Sequence, residues 1–360
     1  MLSSVAATDL NPTHAKQLRA QLLAWFSQER RSLPWRENRD PYRVWISEAM
    51  LQQTRVETVI SYFERFIARF PKLEDLAGAQ EEEVLTLWSG LGYYSRARKL
   101  REAAVVVAQQ HGGQFPRTRE AALALPGVGP YTAGAVLSIA YDLPEPLVDG
   151  NVQRVFARLF ALREVAGSGP LQKKLWTLAG NLVPQESGAG DWNQALMELG
   201  ATLCTPRDPG CASCPVATLC RARELGLVQE LPVPAPRKKP TEVRLEVLVA
   251  SRGRELLLEK RPARGRMAGL WQFPTLETAP GDALFPTHFR GELDGATQLL
   301  IPGEPLGELR HAITRYAIRA QVRAAEVSGQ VPANWRWFSP EDLQEAPLTG
   351  MARKVLAQRE

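Results

Sequence analysis

The chain has 360 residues, 44% of them apolar and 23% charged, with 44 Lys and Arg against 39 Asp and Glu and a net charge of +5. That composition suits one large or two ordinary globular domains, and it excludes wholesale disorder or dependence on covalent staples. The small basic excess, with a pI near 9.1, points to an anionic partner without identifying it.

The opening MLSSVAATDLNPTHAK lacks the apolar core of a signal peptide. The longest uncharged stretch, 121–141, is broken by Pro126, Gly127, Gly129 and Pro130, so it does not read as one spanning helix. The expectation is a protein neither secreted nor in a membrane. In DPYRVWISEAMLQQT, Asp40 suits a helix cap and Pro41 the first helical position. Glu48 on that helix has Val44, Trp45 and Leu51 as its i−4, i−3 and i+3 neighbours. An apolar setting raises a carboxyl's pKa and makes it a proton donor near neutral pH, although a Glu taken in isolation reads more readily as solvated or ion-paired.

Helical patterns flank Pro126-Gly127-Val128-Gly129 in ALALPGVGPYTAGAVLSIA. Two glycines in a tight turn let backbone N–H groups approach an anion, whereas the plain reading is an ordinary αα-turn. Asp149 precedes VQRVFARLF, where Val152, Val155, Phe156, Leu159 and Phe160 form one helical stripe. Asp149 therefore reads as an N-cap, and a carboxylate there is favoured in its ionised form. All four cysteines follow in the pattern Cys204-x6-Cys211-x2-Cys214-x5-Cys220. No cysteine remains for the rest of the chain, which argues for a reduced compartment and one metal site. Four thiolates can hold zinc or a 4Fe–4S cluster, and a single C-x2-C is unusual for structural zinc.

At 231–240, LPVPAPRKKP reads as an extended linker ending in Arg237, Lys238 and Lys239. Before it, 25 basic and 24 acidic side chains nearly cancel, while the remainder has 19 and 15. Beyond it the period changes. Val243, Leu245, Val247 and Val249 alternate, and Arg252-Gly253-Arg254 can turn the chain into Leu256-Leu257-Leu258 as a β-hairpin. The expected layout is an all-helical domain over 1–230, a linker at 231–240 and a smaller α+β domain over 241–360.

LPWR at 33–36, SEAMLQQTRV at 47–56, WSGLGYYSRAR at 88–98, LPGVGPYTAGAV at 125–136, VDGNVQRV at 148–155 and WNQALMELGATLCTP at 192–206 together resemble the adenine DNA glycosylases, the MutY family of the helix-hairpin-helix superfamily. The resemblance implies a glycosylase domain with its hairpin at about 118–137, an iron–sulfur loop at 204–220, and a Nudix-like α/β/α domain behind them. It implies a base-excision repair enzyme that flips and hydrolyses out adenine opposite 8-oxoguanine or guanine in double-stranded DNA, as a monomer in the cytoplasm or nucleoid. Glu48 would protonate the adenine and Asp149 would stabilise the sugar cation, with Tyr131 and Asn151 supporting them. Arg36 and Gln194 would read the flipped base. Leu51, Gln53, Thr54 and Tyr93 would contact the substrate, the last three at the vacated gap. Gly127, Val128 and Gly129 would hold DNA phosphate, joined by Arg96, Arg98, Lys99, Arg101, Arg207, Arg221 and Arg223. Cys204, Cys211, Cys214 and Cys220 would hold a 4Fe–4S cluster.

Tyr131 stands where strand-cleaving relatives carry a Schiff-base lysine, which implies a glycosylase without strong lyase activity. GLWQFP at 269–274 resembles the C-terminal lesion-reading domain, but behind it Glu277 and Asp282 do not make the carboxylate run of a Nudix hydrolase. The family's Phe-Ser-His loop is matched by Ile313-Thr314-Arg315. Thr314 keeps the hydroxyl, and the departures bear on the strength of 8-oxoguanine preference.

Overall fold

The computed structural model describes residues 11–236, 239–263, 265, 267–277, 300–313 and 315–359. Several of its helices open at capping side chains. Asn11 accepts from the Thr13 amide at 2.9 Å to start α1 (Pro12–Glu29). Asp40 accepts from the Tyr42 amide at 2.8 Å, with Pro41 next, to start α2 (Pro41–Leu51). α3 (Val56–Arg69), α4 (Leu73–Gly78), α5 (Glu81–Trp88) and α6 (Ser95–Gln110) follow. The helical hairpin is α7 (Arg119–Leu123) and α8 (Pro130–Tyr141), and Asp149 caps α9 (Gly150–Leu159). α10 (Gly169–Leu182), α11 (Ala189–Thr202) and the short α12 (Arg221–Glu224) complete the helical part.

The chain divides into two compact units, 1–78 with 99–236 and 79–98 with 237–360. In the first, α2 packs on α8, and α11 packs on α1, α8 and α9. α2 buries Tyr42 and every residue from Val44 to Met50, and α8 buries Thr132 to Ile139. Burying large side chains such as Trp45, Trp192, Phe26 and Phe63 contributes about 2–3 kcal/mol each. α8 and α11 are also joined by polar bonds. Asp142, in the left-handed region at φ 55°, accepts from the amides of Gly188 (2.8 Å) and Gly190 (3.0 Å).

In the second unit the strands are β1 (Thr241–Arg252), β2 (Glu255–Lys260), β3 (Trp271–Gln272), β4 (Thr275–Glu277), β5 (Leu300–Ile313), β6 (Tyr316–Val327) and β7 (Trp335–Phe338). They form a mixed sheet in the order β3-β2-β1-β6-β5, with β4 on β1 and β7 on β2; β1 and β6 are parallel. The predicted hairpin is present, with Arg252 opposite Glu255 across Gly253 at φ 59°. α13 (Pro340–Glu345) and α14 (Gly350–Ala357) follow. Val243, Leu245, Val247 and Val249 all enter one core with Phe273, Tyr316 and Met351.

Two features depart from the linear reading. Residues 79–98 sit with the C-terminal unit: Glu82 accepts from Trp271 Nε1 (3.1 Å), Arg353 donates to Ser89 Oγ (2.5 Å), and Tyr94 donates to the Leu348 carbonyl (3.3 Å). The proline-rich stretch is not an extended linker from its first residue. Leu231 is buried, its carbonyl accepts from Arg158 (3.0 Å), and the Val233 carbonyl accepts from the Ala166 amide (2.8 Å). Arg237, Lys238, Asp282 and Thr314 lie outside the described residues.

Candidate active site

Five separate segments of the first unit converge on one cavity of about 130 Å3. A short turn at Pro34–Arg36 supplies Arg36, α2 supplies Glu48 and Leu51, and α8 supplies Tyr131. Asp149 and Asn151 come from the start of α9, and Gln194 and Glu198 from α11. Thr54 lines it as well, so eight of the residues singled out from sequence meet there.

Glu48 is 4% exposed. Burial pushes its carboxyl up to about 7; the charge of Asp149 acts in the same direction, and the Tyr131 hydroxyl and Arg36 oppose it. Tyr131 Oη donates to Glu48 Oε2 and lies 3.5 Å from the Met197 sulfur. The phenol is itself held far above its ordinary range by burial and by the two carboxylates, so it remains a donor.

Asp149 caps α9 as its sequence predicts. Oδ1 accepts from the Val152 amide at 2.7 Å and Oδ2 from Asn151 Nδ2 at 2.9 Å. The electrostatic outcome is different from the expectation for a helix terminus. Burial outweighs those hydrogen bonds and the charge of Arg154, and the carboxyl is raised above its usual value. Two carboxyls thus face one cavity in different surroundings. Glu48 receives one phenolic hydrogen bond, whereas Asp149 receives several N–H hydrogen bonds, which favour its ionised form more strongly.

Arg31 and Glu198 were not singled out from sequence. Glu198, 1% exposed, accepts from Arg31 (2.7 and 3.0 Å), the Arg31 amide (3.1 Å) and Arg36 (2.9 Å), and these bonds hold it down at about 2 against its burial. Arg36 Nε also donates to Gln194 Oε1 at 3.1 Å. The signal was present in WNQALMELGA, because Gln194 and Glu198 are four residues apart on one helix face.

The remaining candidates lie elsewhere. Gln53 is exposed at φ 60° and is not among the residues lining the cavity. Tyr93 belongs to the second unit, 48% exposed, at φ 48°. A left-handed backbone costs a side-chain-bearing residue about 1–2 kcal/mol, and such strain gathers at functional positions. In the hairpin, Gly127 has φ 75° and a Cβ there would stand 2.5 Å from Lys99 Cβ, whereas Gly129 is extended with open space above it. Val128 is buried between them. Arg98 pairs with Glu81 (3.0 Å), Lys99 with Glu102 (3.0 Å) and Arg221 with Glu224, so these expected phosphate ligands already have protein partners.

All four cysteines line a second, almost wholly apolar cavity of about 30 Å3. Among the described residues no three His, Cys, Asp or Glu side chains converge closely enough to hold a single metal ion. Four thiols around one cavity form a donor set that suits a 4Fe–4S cluster or a tetrahedral zinc. Arg158 donates to Cys204 Sγ (3.4 Å) and to the Thr205 carbonyl (2.7 Å). Arg154 donates to the Cys204 carbonyl (2.7 Å), Asn151 Oδ1 (2.8 Å) and the Gly200 carbonyl (2.7 Å), so it ties this loop to the N-terminus of α9.

Comparison with known proteins places both parts of the chain in described families. Residues 46–180 match the HhH-GPD superfamily of base excision DNA repair proteins, and residues 246–358 match the NUDIX domain. The chain is 38% identical to the adenine DNA glycosylase of Homo sapiens over 94% of this chain and 73% of that protein. It is 32% identical to the adenine DNA glycosylase of Schizosaccharomyces pombe, over 94% and 88%. Among solved structures, a thermostable thymine-DNA glycosylase is 34% identical with a TM-score of 0.54, covering 60% of this chain and all of that one.

Proposed function

Because this chain belongs to the adenine DNA glycosylase family, we propose that it excises adenine paired with 8-oxoguanine or guanine, hydrolytically and without cutting the strand. The observation that carries this reading is the meeting of Glu48 and Asp149, a hundred residues apart, across one cavity. Adenine reaches such a cavity only when it is flipped from the duplex. Protonated Glu48 gives its proton to a ring nitrogen of the base. The glycosidic C–N bond then breaks, with its electron pair leaving on adenine. Asp149 stabilises the positive charge developing on the sugar. Water adds to that carbon and passes its proton to solvent, leaving an abasic sugar. Tyr131 orients Glu48, and Asn151 orients Asp149. Arg36 engages Gln194 Oε1, which leaves the amide N–H groups of Gln194 to meet adenine's ring nitrogens. Gln53, Thr54 and Tyr93 occupy the vacated gap, and Leu51 packs against the flipped base. The backbone at Gly127–Gly129 holds a phosphate of the double-stranded DNA partner.

The cysteine set fits a 4Fe–4S cluster held by Cys204, Cys211, Cys214 and Cys220, whose role here is to brace the loop behind α9. A yellow-brown preparation with four irons per chain supports this. A colourless one with one zinc overturns it. Recognition of 8-oxoguanine is assigned to the segment around 313–315. Ile313 packs against the second unit's core, and Arg315 donates to Tyr316 Oη at 2.9 Å.

The test is single-turnover cleavage of duplexes with adenine opposite 8-oxoguanine, guanine or cytosine. Breaks should appear only after alkali, fastest opposite 8-oxoguanine. Breaks without alkali refute the hydrolytic, non-lyase reading, because Tyr131 offers no amine for a Schiff base. Equal rates on all three duplexes refute the pairing preference.

A further inference from the structure

The loop WSGLGYYSR was expected to present Arg96 to DNA phosphate. Its guanidinium is instead partly buried and lies over two aromatic rings, 5.6 Å from the Trp88 ring centroid and 5.3 Å from that of Tyr93. Nη2 points to the Gly92 carbonyl (3.3 Å) and the Leu91 carbonyl (3.5 Å), and Trp88 Nε1 donates to the same Gly92 carbonyl (3.1 Å). The Arg96 amide donates to the Tyr93 carbonyl at 2.8 Å. Gly90 at φ 109° and Gly92 at φ 71° make the sharp path that delivers Tyr93, itself at φ 48°, to the surface with its ring about half exposed. Burial pushes the guanidinium down to about 10.

A ring that must enter a base stack has to be held rigid on its protein side. A flat cation under its face, anchored to the carbonyls that shape the loop, does this. We propose that Arg96 is the positioning residue for Tyr93: it braces the ring and the 91–93 backbone so that the tyrosine enters the gap left by the flipped adenine, and it does not itself bind phosphate. This rests on the reading above that Tyr93 fills the gap.

A phosphate ligand and a stacked brace respond differently to lysine. Lysine serves phosphate as a point charge but has neither the plane nor the fork that stacks and reaches two carbonyls. The full-length protein with its cluster is assayed on a duplex with 2-aminopurine beside the target adenine opposite 8-oxoguanine. Reporter unstacking, single-turnover base release and the salt dependence of binding are measured for Arg96→Lys, Arg96→Met, Tyr93→Leu and Arg96→Lys/Tyr93→Leu. Both Arg96 variants should lose unstacking and slow base release about tenfold, with the salt slope unchanged. The double variant should be no worse than Tyr93→Leu, because the brace has nothing left to hold.

Three results overturn the proposal: wild-type unstacking in Arg96→Lys, a salt slope reduced by about one in Arg96→Met, or additive loss in the double variant. If Arg96→Met does not fold, the lysine variant and its coupling to Tyr93→Leu decide the matter. If Tyr93→Leu leaves unstacking intact, the gap-filling reading fails, an outcome distinct from coupled loss at an active tyrosine.

Discussion

Glu48 carries the most direct consequences at the scale of single residues. Its proton is what base release uses, so the single-turnover rate should plateau below neutral pH and fall as pH rises through about 7. Asp149 must be ionised, so a second, acidic limb should appear above the usual carboxylate pKa, because its carboxyl is raised. A flat profile between pH 6 and 8.5 would remove Glu48 from the role of acid. Stability depends on pH in a related way. The folded-state pKa of Glu48 lies above its unfolded value of about 4.5. The protonated form is therefore favoured by folding, and that contribution is present below pH 4.5 and lost as pH rises through about 7. Glu48→Gln should abolish base release, retain DNA binding, and gain stability relative to wild type as the pH is raised, by up to about 3 kcal/mol. Melting curves at pH 5 and 8 check the sign. The sequence showed that Glu48 had apolar helical neighbours. It could not show that burial would outweigh the N-cap at Asp149, because desolvation depends on what α2, α8 and α11 together exclude.

At the scale of elements, the two hairpin glycines do different work. Gly127 needs its positive φ, and a Cβ there meets the Lys99 side chain at 2.5 Å. Gly127→Ala should cost about 1–3 kcal/mol of stability, read by melting or urea unfolding. Gly129 is extended beneath open space. Gly129→Ala should melt like wild type yet bind every DNA sequence more weakly, the signature of a blocked phosphate approach. Equal stability losses in the two variants would refute this division. A third glycine acts by size. Gly200 on α11 faces Asn151, and a Cβ would stand 2.6 Å from Asn151 Cβ. Gly200→Ala should displace the start of α9 and lower the single-turnover rate about tenfold with little change in DNA affinity, because Asp149 loses its alignment. The α2 cap, the α9 stripe and the β1–β2 hairpin were legible from local pattern. The helical spacing of Gln194 and Glu198 marked Glu198's face, but its pairing with Arg31 and Arg36 and the Gly200–Asn151 contact were not legible, because those partners lie more than forty residues away along the chain.

At the scale of the whole molecule, the composition break at the prolines suggested that a C-terminal truncation would leave a complete helical domain. The second unit's own bonds argue otherwise. Ser89, Tyr94 and Glu82 find their partners in Arg353, Leu348 and Trp271, all beyond residue 236. Thr86 donates to the Glu345 carbonyl at 3.0 Å, and Lys260 pairs with Glu82 at 3.2 Å. A chain ending at Pro236 keeps every residue of the cavity around Glu48 and Asp149 but removes the support of residues 79–98, and with them of the loop that carries Tyr93. Losing several partly buried hydrogen bonds is worth several kcal/mol locally, at about 1 kcal/mol per bond. Hydrogen exchange of the truncated chain should therefore show lost amide protection confined to 79–98, with 99–236 protected as before. Base release should fall while the protein still binds duplex DNA through the 127–129 hairpin. Uniform loss of protection would mean that the helical unit cannot stand without the second. Unchanged protection at 79–98 would mean that this segment draws its stability from the helices instead. The expected result lies between these: a linear sequence boundary at the prolines, and a structural unit that reaches back across it to include residues 79–98.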